Sequence, residues 1–396
     1  MKRLAVLIVA VAALLCRAEA GAAPALAPST GPLLTIARDA PERVIFNWDT
    51  DRCAKTDIPD APPRAFRDFA GRVHLLATHQ DNRAFIGPDF DHLSHSCDVI
   101  YQGDHLDDPG KFDDRQWLTA FVTDDGRNIF ALVHDEFQGN LRPALCPSRK
   151  YLSCWYNAIT AATSTDGGKS FHQLPAPDNV VAAPSVAYAA DAGRPIGYFQ
   201  PTNIVRKDGF YYFMFLATKA GDQTEGICVA RTDRPADAGS WRAWDGSGYN
   251  ARLAGPYLDP TAKSPHVCLP VGRGQLFELG SLAYDRVSRL FIYLGGVSGG
   301  AGDALHPRGA YYSTSADLIT WSPAIQLLRS PSEADATGRR WRYGLFSIID
   351  EASPSMDYSD IGSYGSLYLY YVKFDLSRQP YARILAKQRI TAKGPS

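Results

Sequence analysis

The stretch that decides the fold runs from residue 117 to residue 171 and carries a full set of strand and turn signals. It opens with WLTAFV (117–122), a strand-like run followed by the hairpin signal DDG (124–126) and a second run, NIFALV (128–133). After a polar excursion, AITAAT (158–163) makes a third run, which the turn sequence STDGGKSF (164–171) leads into a fourth. Four consecutive antiparallel strands predict one blade of a β-propeller.

The same order of signals returns along the rest of the chain. Modules of strand, hairpin and strand begin near residues 64, 117, 199, 278 and 343, with loops rich in Gly, Pro, Asp and Arg between them. We therefore predict an all-β fold, a five-bladed β-propeller of four-stranded antiparallel blades. Residues 33–396 would form this single domain, in which residues 33–48 supply the strand that closes the ring.

The amino terminus has the three parts of a secretory signal peptide. Met1-Lys2-Arg3 precedes the apolar run 4–15, and Ala18-Glu19-Ala20 follows it. We predict that residues 1–20 are removed and that residues 21–32 are flexible, which makes the protein secreted or periplasmic. Since no later segment approaches the roughly 18 apolar residues of a membrane helix, a membrane is not an expected partner.

Six cysteines follow the predicted signal peptide, and an even number in an exported chain predicts disulfides. Cys146 and Cys154 are the first expected pair because both lie in one excursion. No cysteine spacing matches a zinc site. A metal in the central channel stays open, but the sequence names no ligand set for it, and no cofactor is assigned. The formal net charge is −1 and the basic residues are scattered, so nucleic acid is not an expected partner either. We expect a monomer.

The geometry of a propeller selects candidate site residues without a catalytic motif. The innermost strand of each blade begins on the face where its antiparallel neighbour ends, so polar residues at these two positions should meet around one central mouth. The candidates at the start of an innermost strand are Arg67, Asp68, Asp114, Gln200, Asn203 and Glu278. The candidates at the end of a second strand are His79, Arg83, His134 and Glu136.

Two resemblances follow from these residues. The turn with Ser164, Asp166, Gly168 and Phe171 resembles the Asp-box of sialidase-type propellers, in which the Asp holds the turn and is not catalytic. The chain as a whole resembles the five-bladed propeller glycoside hydrolases, which include arabinanases, β-xylosidases and invertase-like fructosidases. That resemblance implies a catalytic Asp on the innermost strand of blade one, a supporting Asp and an acid Glu on a later blade.

Carried over to this sequence, the resemblance makes Asp68 the first carboxylate and either Glu136 or Glu278 the acid. Gln200 and Asn203 stand where the supporting Asp is expected, and Asp114 is a substitute for it. Glycosidic cleavage needs one carboxyl that donates a proton and another that acts as base or nucleophile. Arg67 would keep Asp68 ionised, while the apolar run before Glu136 would favour its protonated form.

The remaining candidates are of the kinds that bind sugars. Trp155 and Tyr156 offer flat rings for the C–H faces of a sugar, and Asn157, Gln200 and Asn203 offer amides for its hydroxyls. We therefore predict a secreted glycoside hydrolase that acts on a poly- or oligosaccharide. Two alternatives stay open: a non-catalytic, lectin-like propeller, and a polysaccharide lyase that uses Arg64, Arg67, Arg83 and His79.

Overall fold

The structure is a computed structural model that describes residues 31–77, 79–261, 266–272, 276, 278–297, 306–378 and 382–393, with the backbone alone for residues 278 and 279. The predicted signal peptide, 1–20, and most of the predicted flexible segment, 21–32, lie outside the described residues. A membrane-spanning helix, long and apolar enough to cross a bilayer, is not found in the described part.

The described strands form four hydrogen-bonded sheets. The first contains four antiparallel strands in sequence order: β3 (Arg64–Arg67), β4 (Val73–Leu76), β5 (Phe85–Gly87) and β6 (Ser94–His95). The second contains ten strands: β7 (Arg115–Val122), β8 (Ile129–Gln138), β9 (Trp155–Ser164), β10 (Val180–Ala182), β11 (Ile196–Phe199), β12 (Val205–Lys207), β13 (Phe210–Ala217), β14 (Gly226–Thr232), β15 (Arg242–Trp244) and β16 (Tyr249–Ala251).

The two remaining sheets contain five strands each. The third consists of β17 (Glu278–Asp285), β18 (Leu290–Val297), β19 (Gly309–Ser315), β20 (Ile325–Arg329) and β22 (Asp360–Ile361). The fourth consists of β21 (Trp341–Asp350), β23 (Leu367–Asp375), β24 (Arg383–Lys393), β1 (Leu33–Ile36) and β2 (Arg43–Asn47). The described helices are short: α1 (Trp48–Asp51), α2 (Gly255–Leu258) and the 3-10 turns Pro109–Lys111, Gly139–Leu141, Tyr151–Ser153, Ala238–Ser240 and Tyr364–Ser366.

The five predicted modules are recognisable, but they do not form five separate four-stranded sheets. Each begins with an inner strand close to its predicted start: β3, β7, β12, β17 and β21. The second and third modules share one sheet because β11 pairs in parallel with β9 and antiparallel with β13. The all-β class is therefore confirmed, and the prediction of five independent four-stranded blades is wrong for the described sheets.

The amino-terminal strands join the last strand of the chain. Leu33 to Ile36 in β1 pair antiparallel with Lys393 to Ile390 in β24, and β2 pairs further along the same strand. β24 is eleven residues long, which lets it accommodate both partners. Residues 33–47 thus supply two strands that pair with β24 in the last module.

Three residues of the hairpin turn after β9 have clear structural roles. The Asp166 carboxylate accepts hydrogen bonds from the backbone N–H groups of Lys169 (3.0 Å) and Ser170 (3.1 Å). Gly168 has φ +82°, a conformation that favours glycine. The Phe171 ring returns to the core beside Phe121, with 5.8 Å between ring centroids. Asp166 is a turn residue in this structure.

A fully buried arginine, Arg64 in β3, ties the inner strands together. Its guanidinium donates to the Thr119 carbonyl of β7 (3.0 Å), to Ser347 Oγ of β21 (2.9 Å) and to the Gly280 carbonyl of β17. Burial lowers the pKa of Arg64 to about 9. Because its guanidinium is already bonded inside the protein, Arg64 is not available to a uronate, and its proposed role in a lyase is wrong.

Three disulfides connect the six described cysteines: Cys53–Cys97, Cys146–Cys154 and Cys228–Cys268. The predicted Cys146–Cys154 pair is confirmed. Disulfides persist in oxidising compartments, so these three suggest a periplasmic or extracellular protein.

Candidate functional site

A cavity of about 410 Å³ opens where the inner strands begin and their neighbours end. It is lined by residues that precede β3, that begin β7 or that end β4, β8 and β23. The lining residues are Asp60, Ala61, Pro62, His79, Gln80, Arg115, Trp117, Thr119, His134, Glu136, Gln138, Tyr151, Trp155, Gln200, Leu345, Phe374 and Arg383. The volume suits a small part of a larger ligand, such as a sugar ring.

Asp60 provides one carboxylate of this cavity. Its side chain is 29% exposed, and its Oδ1 accepts a hydrogen bond from Nη1 of Arg383. Nε2 of His79 lies 3.9 Å from Oδ2 of Asp60. The residue is held in place by the chain entering β3, since its backbone N–H donates to the Ala77 carbonyl at 3.2 Å. One oxygen of Asp60 is therefore fixed by a guanidinium, while the other faces a histidine.

Glu136, near the end of β8, provides the second carboxylate and is 12% exposed. Its Oε1 lies 3.0 Å from Nε2 of His134, and its Oε2 accepts from the Gln138 amide at 2.9 Å. All three residues alternate along one strand, so their side chains share the face of the sheet that lines the cavity.

The hydrogen bonds of His134 fix the position of its ring proton. Nδ1 accepts the backbone N–H of Gln200 at 2.8 Å, so the proton is on Nε2 and points at Glu136. The Asn157 amide nitrogen is placed 2.8 Å from the same Nε2, while the Asn157 oxygen is buried without a partner. With the two ends of that amide exchanged, its oxygen can share the Nε2 proton with Glu136.

His79 is the second histidine of the cavity, and it differs from His134 in its surroundings. Burial lowers the pKa of His79, although the nearby Asp60 charge opposes that shift. Its Nδ1 is buried without a hydrogen-bond partner among the described residues. His79 is therefore an uncharged imidazole at neutral pH and can accept a proton.

Aromatic rings form one wall of the cavity. Tyr151 and Trp155 stack with 4.6 Å between ring centroids, and Trp155 meets Phe199 edge-on at 5.3 Å. Trp117 lies edge-on to both cavity histidines. Desolvation and the charges of Glu136 and Asp60 raise the pKa of Tyr151, so its hydroxyl stays protonated.

The excursion that carries Tyr151 is closed by the Cys146–Cys154 disulfide. We expect the double substitution C146S/C154S to lower the free energy of unfolding by about 2 to 3 kcal/mol, the loop-closure contribution of a short loop. We also expect KM to rise severalfold with a smaller change in kcat, because the stacked Tyr151 and Trp155 rings lose their anchor. Thermal unfolding and steady-state kinetics measure the two effects.

The matched control for this prediction is C228S/C268S, which removes a disulfide whose cysteines do not line the cavity. It should lose stability and keep the KM of the parent protein. An unchanged KM in C146S/C154S would show that the aromatic wall does not depend on the disulfide.

Five of the residues predicted from the sequence meet in the cavity: His79, His134, Glu136, Trp155 and Gln200. Gln200 has φ +46°, a left-handed backbone conformation that a residue other than glycine rarely adopts. These five residues therefore line one cavity in the structure.

Asp68 and Arg67 are placed elsewhere, and the prediction that they meet Glu136 is wrong. β3 ends at Arg67, so Asp68 belongs to the hairpin at the far end of that strand. Asp68 is 1% exposed and accepts the backbone N–H groups of Ala70 and Arg72, both at 2.9 Å. The Arg67 guanidinium lies 4.9 Å from the Tyr358 ring centroid.

Asp68→Asn is therefore expected to affect stability and not activity. Burial alone would raise the Asp68 pKa, but the backbone N–H of Arg72 and the side chains of His74 and Arg72 reverse this and lower it. A carboxylate with a lowered pKa in the folded state stabilises the protein above its ordinary pKa, and this contribution is lost as the pH falls. We expect the variant to lose about 1 to 3 kcal/mol at pH 7.

Denaturant unfolding of both proteins from neutral to acid pH measures this difference, which should shrink as the pH falls. A pH-independent difference would contradict an ionised Asp68, and a loss of turnover in the folded variant would contradict its assignment to the hairpin.

Other predicted site residues have structural partners outside the cavity lining. Arg83 donates to the Cys97 carbonyl at 3.1 Å, and the Tyr156 hydroxyl donates to the Val186 carbonyl at 2.9 Å. Asp114 is buried and accepts from Arg142 at 2.8 and 3.0 Å. These residues are not placed where a sugar in the cavity could contact them, so the prediction that they form the site is wrong.

The side chains of the two predicted asparagines, Asn157 and Asn203, also form hydrogen bonds within the protein. The Asn203 amide bonds to both backbone groups of Leu282 and so joins the third module to β17. Asn157 bonds to His134 from behind the cavity. Glu278 begins β17 opposite Gly296, and its side chain lies outside what the structure describes.

The cavity residues that the sequence analysis missed include Asp60, Arg115, Tyr151 and Arg383. Asp60 was not predicted because Pro62 and Pro63 follow it, and proline within a run argues against a strand. Arg115 stands between Asp114 and Gln116, so the period-two alternation of β7 could have selected it. Arg383 comes from the last strand of the chain, and no local signal connects that strand with Asp60.

Two groups of described residues have metal-ligand atoms close together: Cys53 with Asp57 and His95, and Cys146 with Cys154 and Asp191. In both groups the cysteines are joined in disulfides, so they are not free thiolates.

No protein-family model matches the chain, and no curated protein does. Among solved structures, the chain is similar to a thermostable family-43 glycoside hydrolase, with 13% identity over 85% of this chain and 93% of that one and a TM-score of 0.47. It is similar to the catalytic domain of the Coprinopsis cinerea GH62 alpha-L-arabinofuranosidase, with 12% identity, 91% and 98% coverage and a TM-score of 0.46.

A third similar structure is an alpha-L-arabinanase of Cellvibrio cellulosa, with 10% identity, coverage of 84% of this chain and 91% of that one, and a TM-score of 0.47. All three solved structures are described as glycosidases, the class of protein that the sequence resembles.

Proposed function

We propose that the protein is a secreted glycoside hydrolase whose working carboxylates are Asp60 and Glu136. The observation that carries this proposal is that both side chains line one cavity of about 410 Å³, beside the aromatic wall of Tyr151 and Trp155. A sugar ring stacked on such a wall would place its glycosidic bond within a space that two carboxyl groups share.

Asp60 suits the role of the nucleophile or base. Its Oδ1 accepts a hydrogen bond from the Arg383 guanidinium, which holds the side chain in place beside a positive charge. An anion in this position stabilises the oxocarbenium-like transition state, either as a nucleophile or as a base for water. The resemblance to propeller glycosidases implies an Asp at the innermost strand of blade one, and Asp60 replaces Asp68 in that role.

Glu136 suits the role of the proton donor. His134 donates to one of its oxygens, which leaves the other oxygen to carry the proton. The Gln138 amide beside that oxygen can present either its NH₂ group to a carboxylate or its oxygen to a carboxylic acid. Glu136 therefore keeps its hydrogen bonds whether or not it carries the proton. A general acid needs this because it loses and regains its proton in every catalytic cycle. Glu278 is the alternative acid.

We also propose that the five modules close into a five-bladed propeller. The bonds from Arg64 to β7, β17 and β21, and from Asn203 to β17, support a ring of inner strands. A crystal structure in which these strands surround one axis would agree with the proposal, and an open arrangement of sheets would refute it.

The test of the hydrolase is to incubate the purified protein with nitrophenyl glycosides and with plant and microbial polysaccharides, and to measure released nitrophenol and new reducing ends. Hydrolysis of at least one substrate is expected. Saccharide binding without any product would favour the lectin-like alternative.

A lyase remains the second candidate because of one pair of residues. His79 is an uncharged imidazole that can accept a proton, and Arg115 lines the same cavity. A uronate neutralised by an arginine loses its C5 proton to such a base, and the C4–O bond of the glycosidic linkage then breaks. The leaving oxygen takes up a proton, and the product contains a C4–C5 double bond. Ultraviolet absorbance of the products distinguishes this elimination from hydrolysis.

A further inference from the structure

Arg115 is an arginine of the cavity whose hydrogen-bonding capacity is mostly unused. It begins β7 directly opposite Glu136 in the strand register, yet it forms no ion pair within 4 Å among the described residues. Its Nη1 donates to Oε1 of Gln80, and its Nε is buried without a partner. The other terminal nitrogen, Nη2, has no hydrogen bond to a described residue. Arg115 therefore has donors to offer to something other than the protein.

The neighbouring arginines are used differently. Arg383 bonds to Asp60 and to the Pro59 carbonyl, Arg142 bonds to Asp107 and Asp114, and Arg64 is surrounded by acceptors of the inner strands. A half-buried guanidinium without an anion is unfavourable, because it has lost part of its hydration and gained no counter-charge. An anionic group on a ligand would supply that counter-charge.

We propose that Arg115 binds the carboxylate of a uronic acid, so that the substrate of this cavity is an acidic glycan. The planar guanidinium matches a carboxylate in charge and shape, and its Nη2, which has no hydrogen bond to a described residue, can donate to that carboxylate. The inference rests on the proposed function, since it places the uronate in the cavity of Asp60 and Glu136.

The charges of the cavity agree with such a substrate. The described lining residues include the carboxyl groups of Asp60 and Glu136 and the guanidinium groups of Arg115 and Arg383; in the Glu136→Gln variant used below, Asp60 is the one remaining anion among them. A neutral sugar would leave one positive charge uncompensated, whereas a uronate neutralises it. The aromatic wall serves either sugar equally, so the preference depends on Arg115.

The test measures binding and does not depend on turnover. Calorimetric titrations of the full-length exported protein carrying Glu136→Gln use oligosaccharides of galacturonate, glucuronate, mannuronate and guluronate, each paired with its carboxyl-reduced form. At least one acidic oligosaccharide should bind roughly tenfold more tightly than its reduced partner, which corresponds to about 1.4 kcal/mol. This preference should weaken with added salt.

Arg115→Gln in the same background should remove the preference, so that each acidic oligosaccharide binds about as tightly as its reduced partner. Arg115→Lys keeps the charge but not the planar group, so it should retain part of the preference. The matched control is Arg127→Gln, which changes an exposed arginine that stacks on Phe69 and does not line the cavity. Circular dichroism shows that each variant is folded.

Equal affinities within every pair, no binding of any acidic oligosaccharide, or a preference that survives in Arg115→Gln would each overturn the proposal. A stronger, Arg115-dependent preference for sulfated neutral oligosaccharides would overturn the assignment to a uronate. Hydrolysis of neutral glycosides without a preference for acidic ones refutes this inference alone. An Arg115-dependent preference in a protein that hydrolyses nothing supports this inference and refutes the hydrolase.

Discussion

Asp60→Asn is expected to lower kcat/KM by roughly a hundred- to ten-thousandfold. This is the range in which a positioned carboxylate contributes to catalysis. The substitution keeps the shape of the side chain and can keep one hydrogen bond to Arg383, but it removes the negative charge. Without that charge the oxocarbenium-like transition state loses its counter-ion, while the ground state of a neutral sugar loses little. The decrease should therefore be in kcat, with a small change in KM.

The matched control is Asp68→Asn, which makes the same chemical change in the hairpin at the other end of β3. It should keep the turnover of the parent protein per folded molecule. Full activity of Asp60→Asn, with Asp68→Asn inactive, would reverse the assignment of the two residues. Thermal unfolding of both variants separates a loss of chemistry from a loss of folded protein.

Glu136→Gln should lower kcat on a natural polysaccharide by roughly a hundredfold or more, because the leaving oxygen then departs without a proton. Gln keeps bonds to His134 and Gln138, so the side chain stays in place. On a dinitrophenyl glycoside, whose leaving group needs little protonation, most of the activity should return. Asp60→Asn should show no such recovery, since every leaving group requires the same anion.

These two substrates also decide between Glu136 and Glu278. If Glu278→Gln shows the recovery on the dinitrophenyl glycoside and Glu136→Gln does not, Glu278 is the acid and Glu136 is a binding residue. Equal and full activity of Glu136→Gln on both substrates would remove it from the reaction.

Much of the fold could be predicted because its signals are local. The runs 117–122 and 128–133 became the hairpin of β7 and β8, since two apolar runs separated by a turn signal of a few residues fix a strand pair. The Cys146–Cys154 disulfide was predictable for the same reason. The shared sheet of the second and third modules depends on β11, a strand of four residues whose partners are set by tertiary packing.

The site was harder to predict because it depends on which end of a strand faces the cavity. Arg67 and Asp68 looked like the start of an inner strand, whereas the strand begins at Arg64 and the cavity carboxylate precedes it. The amides of Asn157 and Asn203 are of the type that binds sugar hydroxyls. In the structure, however, both amides interact with other residues of the protein: Asn157 with His134, and Asn203 with the Leu282 carbonyl. His134 and Glu136 were predictable because they end a long, strongly patterned strand.

The pairing of β1 and β2 with β24 has a consequence for how this chain folds. The first described strands cannot find their partner until the last one has been made, so the final sheet is a contact between residues separated by almost the whole chain. Such contacts raise the contact order, and closing so long a loop makes folding slow. Until β24 arrives, β1, β2 and β23 present unpaired strand edges, which are sites of aggregation. A ribosome-bound chain that lacks residues 383–393 should therefore remain protease-sensitive in its last module.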